Sequence, residues 1–200
     1  MPGYSVRCGD FMKIDGSACI LWALAILILP LNWVLAGAVA AGFHELCHYL
    51  TVRAMGGRVW EFRIGVGGAV METSPMSAGR ELFCVLAGPV GGILLMLFFR
   101  WIPRVAICAG LQSAFNLLPV YPLDGGRAAG CMVELLPGKY RSVGRRIQNG
   151  LTIGITAAAV LAALLLGLPA VILPFLPVLK EKYLAKREKK GYNIVTLRKL

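Results

Sequence analysis

Residues 16–43, GSACILWALAILILPLNWVLAGAVAAGF, carry no charged side chain, and neither do residues 82–99 or 147–179. Apolar runs of this length are long enough for a helix to cross a bilayer. Inside lipid every backbone polar group must be satisfied within the protein, so such runs admit little besides helices. Composition points the same way. Hydrophobic residues make up 58% of the chain, charged residues 16%, and the mean hydropathy is +0.70, against about 45–50% and 25% in soluble domains. The expected fold is an α-helical integral membrane protein of one domain, with about six transmembrane helices and a small membrane-associated β-hairpin.

The expected spans are residues 14–29, 33–54, 78–99, a fourth from 104 that breaks up over 116–122, a fifth at 146–166, and a short, proline-interrupted sixth at 169–179. A short helix at 128–136 is turned by Pro137-Gly138. Over 58–73, Trp60, Phe62, Ile64 and Val66 alternate with Val59, Glu61, Arg63 and Gly65. That is a strand period, and Gly67-Gly68 suits a hairpin turn. Residues 1–13 show no periodicity and read as a cytoplasmic N-terminal segment, 14–179 as the membrane core, and 180–200 as a basic cytoplasmic tail held at lipid headgroups. Ala38-Val39-Ala40 looks like a signal-peptidase site, but cleavage there would truncate the next helix, so the segment is read as retained.

The net charge of +11 would suggest nucleic acid in a soluble protein. Here the basic residues lie between and after apolar runs, and we expect no nucleic-acid binding. Apart from Arg100 and Arg104, every Lys and Arg falls on one side of the expected spans, which places both termini in the cytoplasm. The six cysteines, Cys8, Cys19, Cys47, Cys84, Cys108 and Cys131, form no CxxC pair. They imply no disulfide framework.

Against this apolar background stands HELCH, residues 44–48, which contains the only two histidines of the chain. His44 and His48 are four residues apart and share one helix face. Two such imidazoles can bind one zinc ion while Glu45 reaches water beside it, which is the HExxH arrangement. An ionisable group at the bilayer centre costs about 2.5–3.5 kcal/mol on insertion scales, so purely structural histidines are the weaker reading. His44 lies about 10 residues, or roughly 15 Å, from the cytoplasmic helix end. The site is thus expected inside the membrane near the cytoplasmic face. Catalytic zinc takes three protein ligands, so a third is needed. Asp124, in NLLPVYPLDGGR (116–127), is the only acidic residue between 82 and 133. Pro119 and Pro122 forbid a regular helix there, and Gly125-Gly126 allow a close turn, so Asp124 is assigned as the third ligand. Cys47 projects away from the histidine face. The glycines of LAGPVGG are read as helix-packing residues.

HELCH followed by NLLPVYPLDGG resembles the site-2 protease family of intramembrane zinc metalloproteases, with FRIGVGGAV and CVLAGPVGG where that family has its hairpin and a glycine-proline helix. The resemblance covers residues 14–190. Its spacing, without a PDZ insertion, is similar to the sporulation-type (stage IV sporulation protein FB-like) branch. It implies one Zn²⁺ per chain held by His44, His48 and Asp124, Glu45 as catalytic base, and Asn116 as a substrate or oxyanion residue. The implied activity is cleavage of a membrane-tethered protein, such as a transcription-factor precursor or an anti-sigma factor, in or near its transmembrane segment. The hairpin residues Phe62, Ile64, Gly65, Val66 and Gly67 would bind the unwound substrate as an added strand; the alternative is a hairpin that only plugs the membrane face. The C-terminal CBS domain that the branch often carries is not seen, so nucleotide regulation is not expected. The competing classes are an inactive scaffold homologue, against which the complete motif set argues, and a metal transporter, which would more often show repeated halves.

Overall fold

A computed structural model describes residues 5–8, 12–65 and 68–165. It is mostly helical with one small sheet. In chain order the elements are β1 (Ser5–Cys8), β2 (Met12–Asp15), α1 (Gly16–Ile28), α2 (Leu31–Ala54), β3 (Val59–Gly65), β4 (Gly68–Thr73), α3 (Ala78–Leu95), α4 (Pro103–Asn116), α5 (Asp124–Leu135) and α6 (Gly138–Leu165).

Prolines and glycines set most of the boundaries. Pro30 forces Leu29 into extended backbone (ψ 147°), which ends α1 and caps α2. Gly56, at φ +79°, takes the left-handed position just past α2. Pro103 opens α4 at its first turn. Pro119 and Pro122 keep 117–123 irregular, and Pro137 holds Leu136 extended (ψ 150°), ending α5. Pro89 lies within α3 and is buried.

Four expectations are corrected. The isolated hairpin is half of a four-stranded sheet in the order β1-β2-β3-β4. Residues 5–8 and 12–15, of which 5–8 and 12–13 read as patternless and 14–15 as the start of the first span, pair with each other antiparallel, and β2 runs parallel to β3 (Met12↔Phe62, Ile14↔Ile64). Strands this short acquire a partner only through long-range pairing, which local periodicity does not report. Second, α5 starts at Asp124 rather than near 128, because Gly125-Gly126 continue as helix instead of breaking it. Third, α6 begins at Gly138, so it also takes in residues 138–145, the basic segment that precedes the expected span. Fourth, among the described residues one helix, Ala78–Phe98, is long and apolar enough to cross a membrane, and Ala18–Ile28 is a shorter apolar helix. The count of six spans therefore does not follow from the helices themselves. The expected sixth span at 169–179 and the tail at 180–200 lie outside the described residues.

Small residues fill the interior and large apolar ones face out. Ala36, Ala40, His44, His48 and Val52 form a buried row at every fourth residue of α2. It packs on α3 and α4; Gly88 of α3 lies against both imidazoles, and Gly92 of α3 lies against Ala109 and Ser113 of α4. Leu27 (82% exposed), Leu97 (74%) and Leu111 (69%) point outward.

The sheet carries its charges as a network. Lys13 and Arg63 are directly paired across β2 and β3, a like-charge contact that destabilises by itself. Glu61 answers both: Lys13 Nζ and Arg63 Nη2 each donate to its carboxylate, the latter at 3.0 Å. These bonds, Lys13 first, hold the Glu61 pKa below its ordinary value. The stabilisation is therefore complete above the usual Glu range and is lost as pH falls through the lowered pKa. Protection of the β2 amides, taken relative to their intrinsic exchange rate at each pH, should fall on acidification through that window, and Glu61→Gln should remove this loss. Protection that is indifferent to acid would show that the pair does not hold the strand.

Candidate metal centre

α2 presents His44 and His48 one turn apart, 2% and 8% exposed. Their rings meet edge to face with centroids 4.8 Å apart at 80°, and their Nε2 atoms are 3.1 Å apart. Asp124, in the first turn of α5, brings Oδ2 to 3.0 Å from His44 Nε2 and 3.2 Å from His48 Nε2. A residue eighty positions along the chain thus completes a three-atom cluster that could hold a metal ion. Its place at a helix N-terminus is favourable for a carboxylate.

The hydrogen bonding of His48 fixes what the cluster offers. Its Nδ1 lies 2.7 Å from the Cys84 carbonyl of α3. A carbonyl only accepts, so Nδ1 carries the proton and the neutral ring turns a lone pair at Nε2 toward Asp124 and His44. Such an outer partner orients a metal-bound imidazole. Electron-rich atoms crowded at 3.0–3.2 Å repel unless a proton or a cation lies among them. Ligands at 2.0–2.2 Å from a tetrahedral zinc ion are separated by about 3.3 Å, close to what these side chains already adopt. The donor set, two imidazoles and one carboxylate, leaves a fourth position open. The residues fit zinc.

Glycines let the backbone come this close. A Cβ at Gly88 of α3 would meet His44 Nε2 at 2.7 Å and His48 Nε2 closer still. Gly91 and Gly92 let α3 lie against Cys47 and Ser113 in the same way. A Cβ at Gly125 or Gly126 would strike the backbone of Leu117–Tyr121, so the LDGG turn is packed onto the proline-broken segment that precedes it.

Glu45 is half-buried and outside the three-atom cluster. It borders a cavity of about 50 Å³ together with His48, Asp124, Glu81 and Arg127, and with Ala69, Met71 and Thr73 of β4. That volume exceeds the roughly 10–15 Å³ one water requires. Arg127 Nη2 lies 3.6 Å from Glu81, tying α5 to α3 at the cavity wall. Asn116, the last residue of α4, sets its Nδ2 3.2 Å from His44 Nε2, so a donor reaches the same point from a third helix.

The structure thus gathers His44, His48, Glu45, Asp124 and Asn116. It does not gather Phe62, Ile64 and Gly65 as expected. They lie in β3, which is paired on both sides, so no free backbone edge remains there for an added strand. Val66 and Gly67 lie outside the described residues. Of the hairpin's two strands, β4 is the one left at an edge of the sheet among the described residues, and its alternate residues Ala69, Met71 and Thr73 line the cavity. Sequence reasoning missed Gly88, Glu81, Arg127 and β4. For Gly88 the signal was present in LAGPVGG, whose small residues announce close approach without saying to what.

This arrangement of helices and sheet matches a solved structure, the site-2 protease from Methanocaldococcus jannaschii, with a TM-score of 0.65 over 85% of this chain and 89% of that one, at 21% identity. The fold is that of a site-2 protease. No protein-family model matches the chain, and no curated protein matches it in sequence.

Proposed function

We propose that this protein is an intramembrane zinc metalloprotease of the site-2 type, cleaving a peptide bond in or near a transmembrane segment of a membrane-tethered protein. The observation that carries this reading is the meeting of His44, His48 and Asp124 at 3.0–3.2 Å, with Glu45 beside them on the cavity. The likeness of fold supports it. So does the distribution of side chains, with small residues inside and large apolar ones outside, which suits a chain solvated by lipid. The reading includes several spans, both termini in the cytoplasm, and the sporulation-type branch suggested by motif spacing, with a transcription-factor precursor or anti-sigma factor as the kind of substrate.

Zinc bound by the triad would supply Lewis acidity, polarising the scissile carbonyl and lowering the pKa of water. The remaining steps belong to the chain. The Glu45 carboxylate accepts the proton of the attacking water and returns it to the leaving amine. Asn116 Nδ2 donates to the oxygen that gains charge. His48 keeps its orientation through Cys84 O. A helical peptide bond hides its carbonyl, so the substrate must unwind. The free edge of β4 then offers backbone hydrogen bonds, with Ala69, Met71 and Thr73 toward the cavity.

The test uses the purified chain in detergent with a panel of tethered hydrophobic segments, and counts zinc per chain. We expect one zinc, cleavage lost to a chelator, and recovery on adding zinc. Undiminished cleavage by a zinc-free sample would overturn the reading.

A further inference from the structure

On α6, Gln148, Thr152 and Thr156 recur every fourth residue and form one polar row. Thr152 and Thr156 are buried. Thr156 Oγ1 donates back to Thr152 O at 2.7 Å and so serves its own helix. Thr152 Oγ1 lies 3.0 Å from Gln148 O and 3.4 Å from Pro119 O, sharing one proton between its helix and the broken segment. Gln148 differs. Its Nε2 donates to the carbonyl of Gly126 at 2.7 Å, and its side chain lies against Gly130, one turn further along α5.

Gly126 is two residues from Asp124, in the turn that aims its carboxylate. Both Gly125 and Gly126 must lack side chains to fit under Leu117–Tyr121. A turn without side chains cannot be held by their packing, and has to be held through its backbone. We propose that Gln148 is a positioning residue for Asp124: its amide anchors the glycine turn and thereby keeps the carboxylate aimed at the two imidazoles. α6 contributes no ligand, yet it sets the third side of the metal centre. This inference rests on the metal-centre reading above.

The test is zinc retention against a graded chelator, read beside the melting temperature of the metal-free protein. Gln148→Met keeps the shape and removes the donor. Gln148→Asn keeps an amide but stops one methylene short, and guards against a folding failure of the first variant. Both should retain zinc about 10-fold less tightly, the lower end of what losing an outer partner does, with metal-free melting as in the parent. Thr156→Val, a change on the same row without contact to the turn, should retain zinc as the parent does. In an Asp124→Asn background Gln148→Met should have no further effect, since a residue acting through Asp124 has nothing left to act on. Parental retention in both Gln148 variants, an equal loss in Thr156→Val, or an undiminished effect in the Asp124→Asn background overturns the proposal while leaving the metal centre intact. A parent that takes up no zinc overturns both.

Discussion

Glu45→Gln is expected to leave zinc bound and to lower cleavage by about 100- to 10,000-fold, the usual contribution of a positioned general base. The three converging ligand atoms come from His44, His48 and Asp124, so the amide should not disturb the metal. Glu45 follows His44 directly and faces the water-sized cavity that His48 and Asp124 also border. Gln preserves its shape and removes its capacity to accept a proton. The measurement is single-turnover cleavage with zinc counted on the same sample. Parental cleavage would move the base elsewhere, and a zinc-free variant would make Glu45 a ligand.

The second large effect is expected at Gly88, a residue with no chemistry of its own. A methyl group there would press on both Nε2 atoms, and α3 cannot simply back away. Val85, Pro89, Gly91 and Gly92 of the same helix are buried, and Cys84 O holds His48 from that helix. Gly88→Ala should therefore displace the imidazoles and empty the site of zinc, with cleavage falling at least about 100-fold, the usual penalty for a displacement of about 1 Å. Gly91→Ala is the matched control. Its methyl would meet Cys47, which takes no part in the centre, so it should cost about 1–3 kcal/mol by overpacking and keep zinc. Equal zinc loss in the two variants would reduce Gly88 to a packing residue.

The centre was legible in unequal parts. His44, Glu45 and His48 lie within five residues of one helix, and helical geometry alone puts the histidines on one face. Asp124 was legible by scarcity, as the only acid in a long apolar stretch. Its helix was not, because Gly125-Gly126 read as a break where packing against Leu117–Tyr121 makes them the first turn of α5. The hairpin was recognised by its period, but the identity of its free edge depended on β2, a four-residue strand that pairs in parallel from across α1 and α2. No local pattern singles out Gln148, whose partner Gly126 lies 22 residues earlier on another helix.

The sequence by itself determined the helical, apolar character of the chain and the chemistry it can carry, because both follow from side chains within a few turns of one another. Only the packed chain shows which glycine makes room for the imidazoles, which strand offers its edge and which helix bonds to the aspartate turn. Those are contacts between segments tens of residues apart. They are set by how closely the helices can pack and by which backbone groups must find partners, and no local pattern encodes that.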